Sequence, residues 1–274
     1  MSLGINSNVN SMIVNHNLQK SAGTITKSMQ RLSTGLKINS AGDDAAGLNL
    51  SEKLESQINA SDIAKNNTQT GINLLQVMDS DLAKIGELLQ RMRDLGVQSA
   101  NGVYSGPERT ALNAENTQLK NEITRISDNS NFSGLNLLNA AGSITLQVGT
   151  NTGADNQITV NTYNSDSTAL GIDATTLAVD AATSLAAVTL FDTAIQTVQT
   201  NRATIGANIN RLQGTMDRTD ARKVNLQSAN STLKDTDVAT ESAALTRSQI
   251  LQQAAVSMLA QANQLPTLAL KLIS

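Results

Sequence analysis

The sequence predicts a mainly α fold, a long antiparallel helical bundle or coiled coil with a small β-hairpin region. Three observations carry that prediction. Apolar residues recur at steps of three and four through roughly the first 130 and the last 90 residues, but not between them. Pro107 and Pro266 are the only two prolines among 274 residues, so long helices go uninterrupted. Two Phe, two Tyr and no Trp leave almost no aromatic anchors, so Leu, Ile, Val, Met and Ala must bury themselves along narrow seams.

The first helix is expected over residues 9–32, where Leu18, Ala22, Ile25, Met29, Leu32 and Leu36 keep a heptad rhythm. Thr34-Gly35 breaks it. A linker follows, and Asp43 and Asp44 stand where carboxylates cap a helix and meet its positive end. The next helix, expected over 44–100, carries Leu75, Met78, Leu82, Ile85, Leu89 and Met92 on one face. At 1.5 Å per residue it would run about 80 Å. Asn101-Gly102 and Gly106-Pro107 mark a turn, with Pro107 suited to a first helical position. A third helix, to about residue 128, turns Leu112, Leu119, Ile123 and Ile126 inward.

The centre changes period. Residues 143–149 and 156–163 alternate, placing Ile144, Leu146 and Val148 on one face and Ile158, Val160 and Thr162 on another. Turn formers at 150–155 join them, which reads as a hairpin with a long loop. Helical rhythm returns over 183–233 through Phe191, Ile195, Val198, Ile205, Ile209, Leu212 and Met216, with Arg202 in the vacant slot. Lys234 to Asp237 interrupts it. Asp237 then caps a last helix over 238–264, with Glu241 near its start. Ile250, Leu251, Ala254, Ala255, Met258 and Leu259 form a stripe there, wide enough to want partners on more than one side.

Chemistry is absent from this pattern. With no Cys there is no disulfide or thiolate, and His16 alone cannot build a zinc site. It reads as a partly exposed helix residue. No phosphate loop, dinucleotide fingerprint or metalloprotease motif occurs, so no catalytic, cofactor or metal residue is assigned and the chain is expected not to be an enzyme. A net charge of −3 gives no reason to expect nucleic acid. No apolar window long enough for a membrane span is expected. The first ten residues lack the basic stretch and apolar run of a cleavable signal.

Several motifs carry a resemblance. Residues 32–48, LSTGLKINSAGDDAAGL, resemble the linker signature of bacterial flagellins. Residues 89–102, LQRMRDLGVQSANG, resemble the end of their long outer-core helix, and Phe132-Ser133-Gly134 followed by Leu137-Leu138 their turn into a hairpin. Residues 248–254, SQILQQA, and 258–266, MLAQANQLP, resemble their C-terminus. Gly42 stands where many flagellins carry Lys, and Gly96 where Ala is common; each is expected to cost up to about 1 kcal/mol if helical. Only about 50 residues separate the third helix from the return helix, so the chain resembles a minimal flagellin without large outer domains.

The resemblance implies a division into residues 1–34, N-terminal inner-core helix; 35–45, spoke linker; 46–130, outer-core helices; 131–182, hairpin and loop region; 183–234, return helix; and 235–274, C-terminal spoke and inner-core helix. It implies a subunit that self-polymerises into the extracellular flagellar filament for swimming. It also implies terminal helices that fold on assembly, and export through the flagellum's own apparatus without a cleaved signal peptide. Assembly is expected at Leu18, Ile25, Met29, Leu32, Ile250, Leu251, Ala254 and Met258. The implied partners are the chain itself, flagellar cap and hook-junction proteins, an export chaperone, and an animal Toll-like receptor. Gln90, Arg91, Leu95, Gln98 and Glu115 match the positions that serve receptor recognition and subunit contact. No cofactor, nucleic acid or membrane insertion is implied. The competing readings are a hook–filament junction protein, an enzyme on a helical scaffold, and a monomeric adhesin or immune ligand.

Overall fold

A computed structural model describes residues 7–273, with side chains as far as Gln264. Residues 1–6 and 274 of the expected terminal segments, and the side chains of Leu265 and Pro266 in the C-terminal motif, lie outside the described residues. The element order is α1 Val9–Thr34, α2 Ala45–Ser99, α3 Gly106–Asn129, β1 Asn131–Phe132, β2 Leu135–Asn136, β3 Gly142–Gln147, β4 Gln157–Thr162, α4 Ala181–Lys234 and α5 Val238–Ile273. The expected mainly α fold with a small antiparallel β region is what the chain forms.

Two compact units result, residues 57–224 and residues 1–56 with 225–274. The first holds the apolar core. All six α2 seam residues are fully buried: Leu75, Met78, Leu82, Ile85, Leu89 and Met92. Phe191, Ala194, Val198, Ile205 and Leu212 of α4 and Ile123 of α3 complete the packing. Arg202 does not fill its apolar slot. Asn201 is half-buried there instead, while Arg202 turns outward to the Asp79 carboxylate at 2.8 Å.

The antiparallel register of α2 on α4 is marked by ion pairs. Asp62–Lys223 at 2.5 Å, Lys65–Asp220 at 2.7 Å, Asp79–Arg202 at 2.8 Å and Arg93–Asp192 at 2.6 Å climb one helix as they descend the other. Exposed pairs of this kind contribute only a few tenths of a kcal/mol each. Their value is that a slip of one heptad would put each charge opposite the wrong neighbour.

α4 is more apolar than the expected lack of any membrane-length window allows. It is the described helix long and apolar enough to cross a membrane by length and composition, with mean hydropathy 1.2 in its 18-residue window. Ser184, Ala187, Phe191, Ala194 and Val198 direct that content inward at steps of three and four. The buried share of the window, 28%, is the inward stripe of a packed helix.

α3 starts on a capping box between Ser105 and Glu108, with Pro107 in its first turn. At its end, Ser133 and Gly134 both adopt positive φ (52° and 84°). That is the two-residue primed turn that lets β1 and β2 pair tightly. β3 and β4 pair with Ile144 opposite Val160 and Leu146 opposite Ile158. Ile158, Val160 and Thr162 are buried as the alternation requires. Two strands alone are marginal; here Asn67 of α2 donates to the Gln147 carbonyl at 3.2 Å and the apolar face joins the helical core.

One core position breaks the apolar rule. Asn116 on α3 is fully buried, and both polar atoms of its amide lack a partner. An unsatisfied buried amide costs about 1–3 kcal/mol. Asn116→Leu is therefore expected to raise the urea midpoint of unfolding by a stabilisation of that order. A lower midpoint would mean the amide is satisfied by a buried water.

Candidate assembly surface

The second unit is built from the two ends of the chain. α1 and α5 lie side by side. The face of α1 towards α5 carries Leu18, Ser21, Ile25, Ser28 and Leu32, and that of α5 carries Leu245, Ser248, Gln252, Ala255, Leu259 and Ala262. Ser28 and Ser248 are its buried polar residues. Much of this seam is small or polar, so the pairing of the two helices buries less apolar area than their composition offers.

The remainder faces outward. Ile250, Leu251, Val256 and Met258 of α5 are 53–61% exposed, and Met12, Ile13 and Met29 of α1 are 54–68% exposed. The eight expected assembly residues thus divide in two. Leu18, Ile25 and Leu32 are half-buried between the helices, whereas Met29, Ile250, Leu251, Ala254 and Met258 stay exposed. Met29 sits one position off the inward stripe, which Ser28 occupies. Leu251, Ala254 and Met258 also line a cleft of about 510 Å³ with Val14, Ser21 and Thr24 of α1.

Three polar devices, each joining residues far apart in sequence, hold the ends together. Asn8 caps α1 through its Oδ1, which accepts from the Ser11 N–H at 3.1 Å. Its Nδ2 donates to the Ala262 carbonyl at 2.9 Å. Ala262 is four residues before Pro266, whose nitrogen carries no hydrogen, so that carbonyl lacks its helical donor. The Asn8 amide supplies one. This accounts for α5 continuing to Ile273 where the proline suggested an end near Gln264. Arg31 meets Glu241, in the first turn of α5, at 3.5 Å.

The third device is in the linkers. Residues 35–37 pair with 234–236: the Lys37 N–H donates to the Lys234 carbonyl at 2.7 Å, and the Thr236 N–H to the Gly35 carbonyl at 2.9 Å. Asp44 caps α2, accepting from the Gly47 N–H at 2.9 Å. A Cβ on Gly47 would come within 2.8 Å of Ile38 Cδ1, so this close approach needs glycine. Gly42 is in a turn, not a helix, so the helix cost expected for it does not arise.

Asp43 gathers the turn. It takes Lys27 of α1 at 2.8 Å, the N–H groups of Asn39 and Ser40 at 3.3 and 3.2 Å, and the Ser40 hydroxyl. The Lys27 ammonium above all, with those N–H donors, holds its carboxyl down at about 2, from an ordinary 3.8. A lowered carboxyl contributes stability above its ordinary value and loses it as pH falls through the lowered one. The linker turn is thus expected to persist at pH 4 and open towards pH 2. Following the Asp43 carboxyl carbon by NMR checks this: a midpoint near 2 that moves up in Lys27→Met is the expected result, and a midpoint near 3.8 in both would refute it.

The five positions of the other candidate surface do not all share it. Gln90 and Gln98 are exposed and bond to Asp94 and Tyr104. Arg91 and Glu115, about half exposed, form an ion pair at 2.8 Å between α2 and α3. Leu95 is 1% exposed and belongs to the core cluster. It falls on the inward stripe of α2 three residues after Met92, so it supports this surface from beneath.

Among the described residues, no group of three or more His, Cys, Asp or Glu side chains is placed to hold a metal ion. What the geometry offers is exposed apolar helical surface on α1 and α5. The model of the bacterial flagellin N-terminal helical region matches residues 5–143, and that of the bacterial flagellin C-terminal helical region matches residues 188–273. The chain belongs to the flagellin family. It is 39% identical to a flagellin of Halalkalibacterium halodurans over 98% of this chain and 99% of the relative. It is 38% identical to a 33 kDa flagellar filament core protein of Treponema phagedenis, over 92% of this chain and 96% of the relative. Among solved structures, a Vibrio parahaemolyticus chain assigned to the flagellar hook-associated proteins matches with TM-score 0.58 and 17% identity, over 70% of this chain and all of that one. That likeness concerns fold alone. Flagellins are structural filament proteins and not enzymes, in keeping with the lack of catalytic motifs.

Proposed function

We propose that the chain is the repeating subunit of an extracellular flagellar filament. The observation that carries this reading is the exposed apolar face of α1 and α5. Burying a Leu, Ile or Met side chain is worth about 1.5–3 kcal/mol, and Ile250, Leu251 and Met258 together with Met12, Ile13 and Met29 all remain more than half exposed. The occupant is a second copy of the chain, because the near-full-length relatives include filament core proteins. A contact between different faces of identical subunits does not close and generates an open helix. Segments 1–34 and 235–274 act as the inner core, 35–45 as the spoke, and 46–130 with 131–182 and 183–234 as the outer core. The terminal segments order fully on assembly, since their own seam is too polar to repay ordering alone.

On this reading the subunit is exported unfolded by the flagellum's own machinery without a cleaved signal, with a chaperone covering the α5 stripe, and it meets cap and junction proteins at the filament ends. Gln90, Arg91, Gln98 and Glu115 form an exposed polar strip for subunit contact, and for an animal Toll-like receptor where one is met. Electron microscopy of purified protein seeded with short filament fragments tests the central claim. Long filaments are expected. A short collar that stops growing would favour a hook–filament junction protein, and unchanged monomer would overturn self-polymerisation.

A further inference from the structure

We propose that the cleft between the β3–β4 loop and α4 binds a sugar acid, meaning one carboxylate carried on a polyhydroxylated ring. The cleft has a volume of about 330 Å³ and is lined by Ser61 of α2, Thr150, Asp155 and Asn156 of the loop, and Arg218 and Arg222 of α4. That volume lies at the small end of the roughly 300–1,000 Å³ usual for ligand sites, which suits a single ring.

The neighbouring α4 charges that reach α2 are spoken for. On the same turns of α4, Asp220 pairs with Lys65 and Lys223 with Asp62. Arg218 and Arg222 are one turn apart on one face and have no acidic partner among the described residues. Two guanidiniums at that spacing match a carboxylate, which accepts several N–H groups at once. The Thr150 hydroxyl is buried at the same place without a hydrogen-bond partner, although buried hydroxyls are nearly always satisfied.

Asp155 decides the rest of the chemistry. A carboxylate in the lining disfavours a multiply charged anion such as phosphate. It accepts hydrogen bonds from hydroxyl groups, as does the side-chain carbonyl of Asn156. A ligand with one negative end for the arginines and hydroxyls for Thr150, Asp155 and Asn156 gives each of these groups a partner, while Ser61 and Thr219 already donate within their own helices. The loop is held to receive it. The Val148 and Gly149 N–H groups both donate to the Asn156 carbonyl at 2.9 and 3.0 Å. Gln147 Nε2 donates to the Gly149 and Asn151 carbonyls at 2.9 and 3.0 Å. This inference is independent of filament growth, because all lining residues belong to the unit 57–224.

Titration of the full-length monomer with glucuronate, followed by isothermal calorimetry and ligand-observed NMR, tests it. Saturable binding in the millimolar range is expected, with glucose binding at least about ten-fold more weakly. Arg218→Gln with Arg222→Gln should weaken glucuronate by about ten-fold or more while leaving helical circular dichroism unchanged, since Gln is a comparable helix former. Thr150→Val should weaken it less. Inorganic phosphate binding as tightly as glucuronate would overturn the sugar-acid assignment. No saturation by glucuronate, or binding undiminished in the double variant, would overturn the site.

Discussion

Leu251→Asp combined with Met258→Asp is expected to abolish filament elongation while the monomer keeps its helices. Both side chains are more than half exposed in the single chain, at 53% and 61%, so neither substitution removes a core contact. In the proposed filament the same positions would be buried. Each loses about 1.5–3 kcal/mol of transfer free energy, and each new carboxylate must also be desolvated without a partner. A loss of 4 kcal/mol or so raises the critical concentration by about a thousand-fold. The measurement is seeded growth by light scattering, with circular dichroism as the check on folding. Normal elongation by the double variant would show that α5 does not carry the contact. Deletion of residues 1–30 or 245–274 should have the same effect and leave the unit 57–224 intact, because that unit's core contains no residue from either end. Filaments from either truncation would sink the two-ended model.

The legibility of this chain follows from which forces act within a helix and which act between helices. Capping carboxylates and the Asn101-Gly102 turn place α2 within a residue of its observed ends, and six large apolar side chains in strict rhythm admit one inward face. The same logic erred by one position on α1. Ser28 and Met29 are adjacent, and only the partner helix decides which turns inward. It is Ser28 that is buried, while Met29 is 58% exposed. Leu95 illustrates the opposite case. Its neighbours Arg91 and Gln98 are surface residues, yet helical spacing from Met92 sends it into the core. The Asn8–Ala262 bond lies beyond any local reading, since it joins residues 254 apart in sequence. It could be anticipated only by asking which carbonyl Pro266 deprives of its donor.

Polar features divide along the same line. Asp44, Asp237 and the Ser105–Glu108 box act on their own helix starts, and residue type with spacing reveals them. Asp43 was grouped with Asp44 as a cap, but its main partner is Lys27, sixteen residues earlier on another helix. The α2–α4 ion pairs likewise become visible only when the antiparallel register is known.

Phe191→Ala is expected to be the most damaging single change in the unit 57–224, by about 3–5 kcal/mol. Phe191 is the largest fully buried side chain in a protein with only two Phe and two Tyr. The space it fills is prepared by Gly96 on α2: a Cβ there would lie 3.5 Å from the ring and 2.7 Å from Val188 Cγ2. This reverses the expectation that Gly96 merely loosens its helix. Its propensity cost is about 1 kcal/mol, whereas the packing it permits is worth several times more. Gly96→Ala should therefore destabilise despite the better helix former, and adding Val188→Ala should recover part of the loss. Urea unfolding of the full chain, followed at the helical band, reads all three. If Phe191→Ala cost under 1 kcal/mol, or Gly96→Ala raised the midpoint, the α2–α4 contact at this level would be loose, and the aliphatic seam alone would hold the unit together.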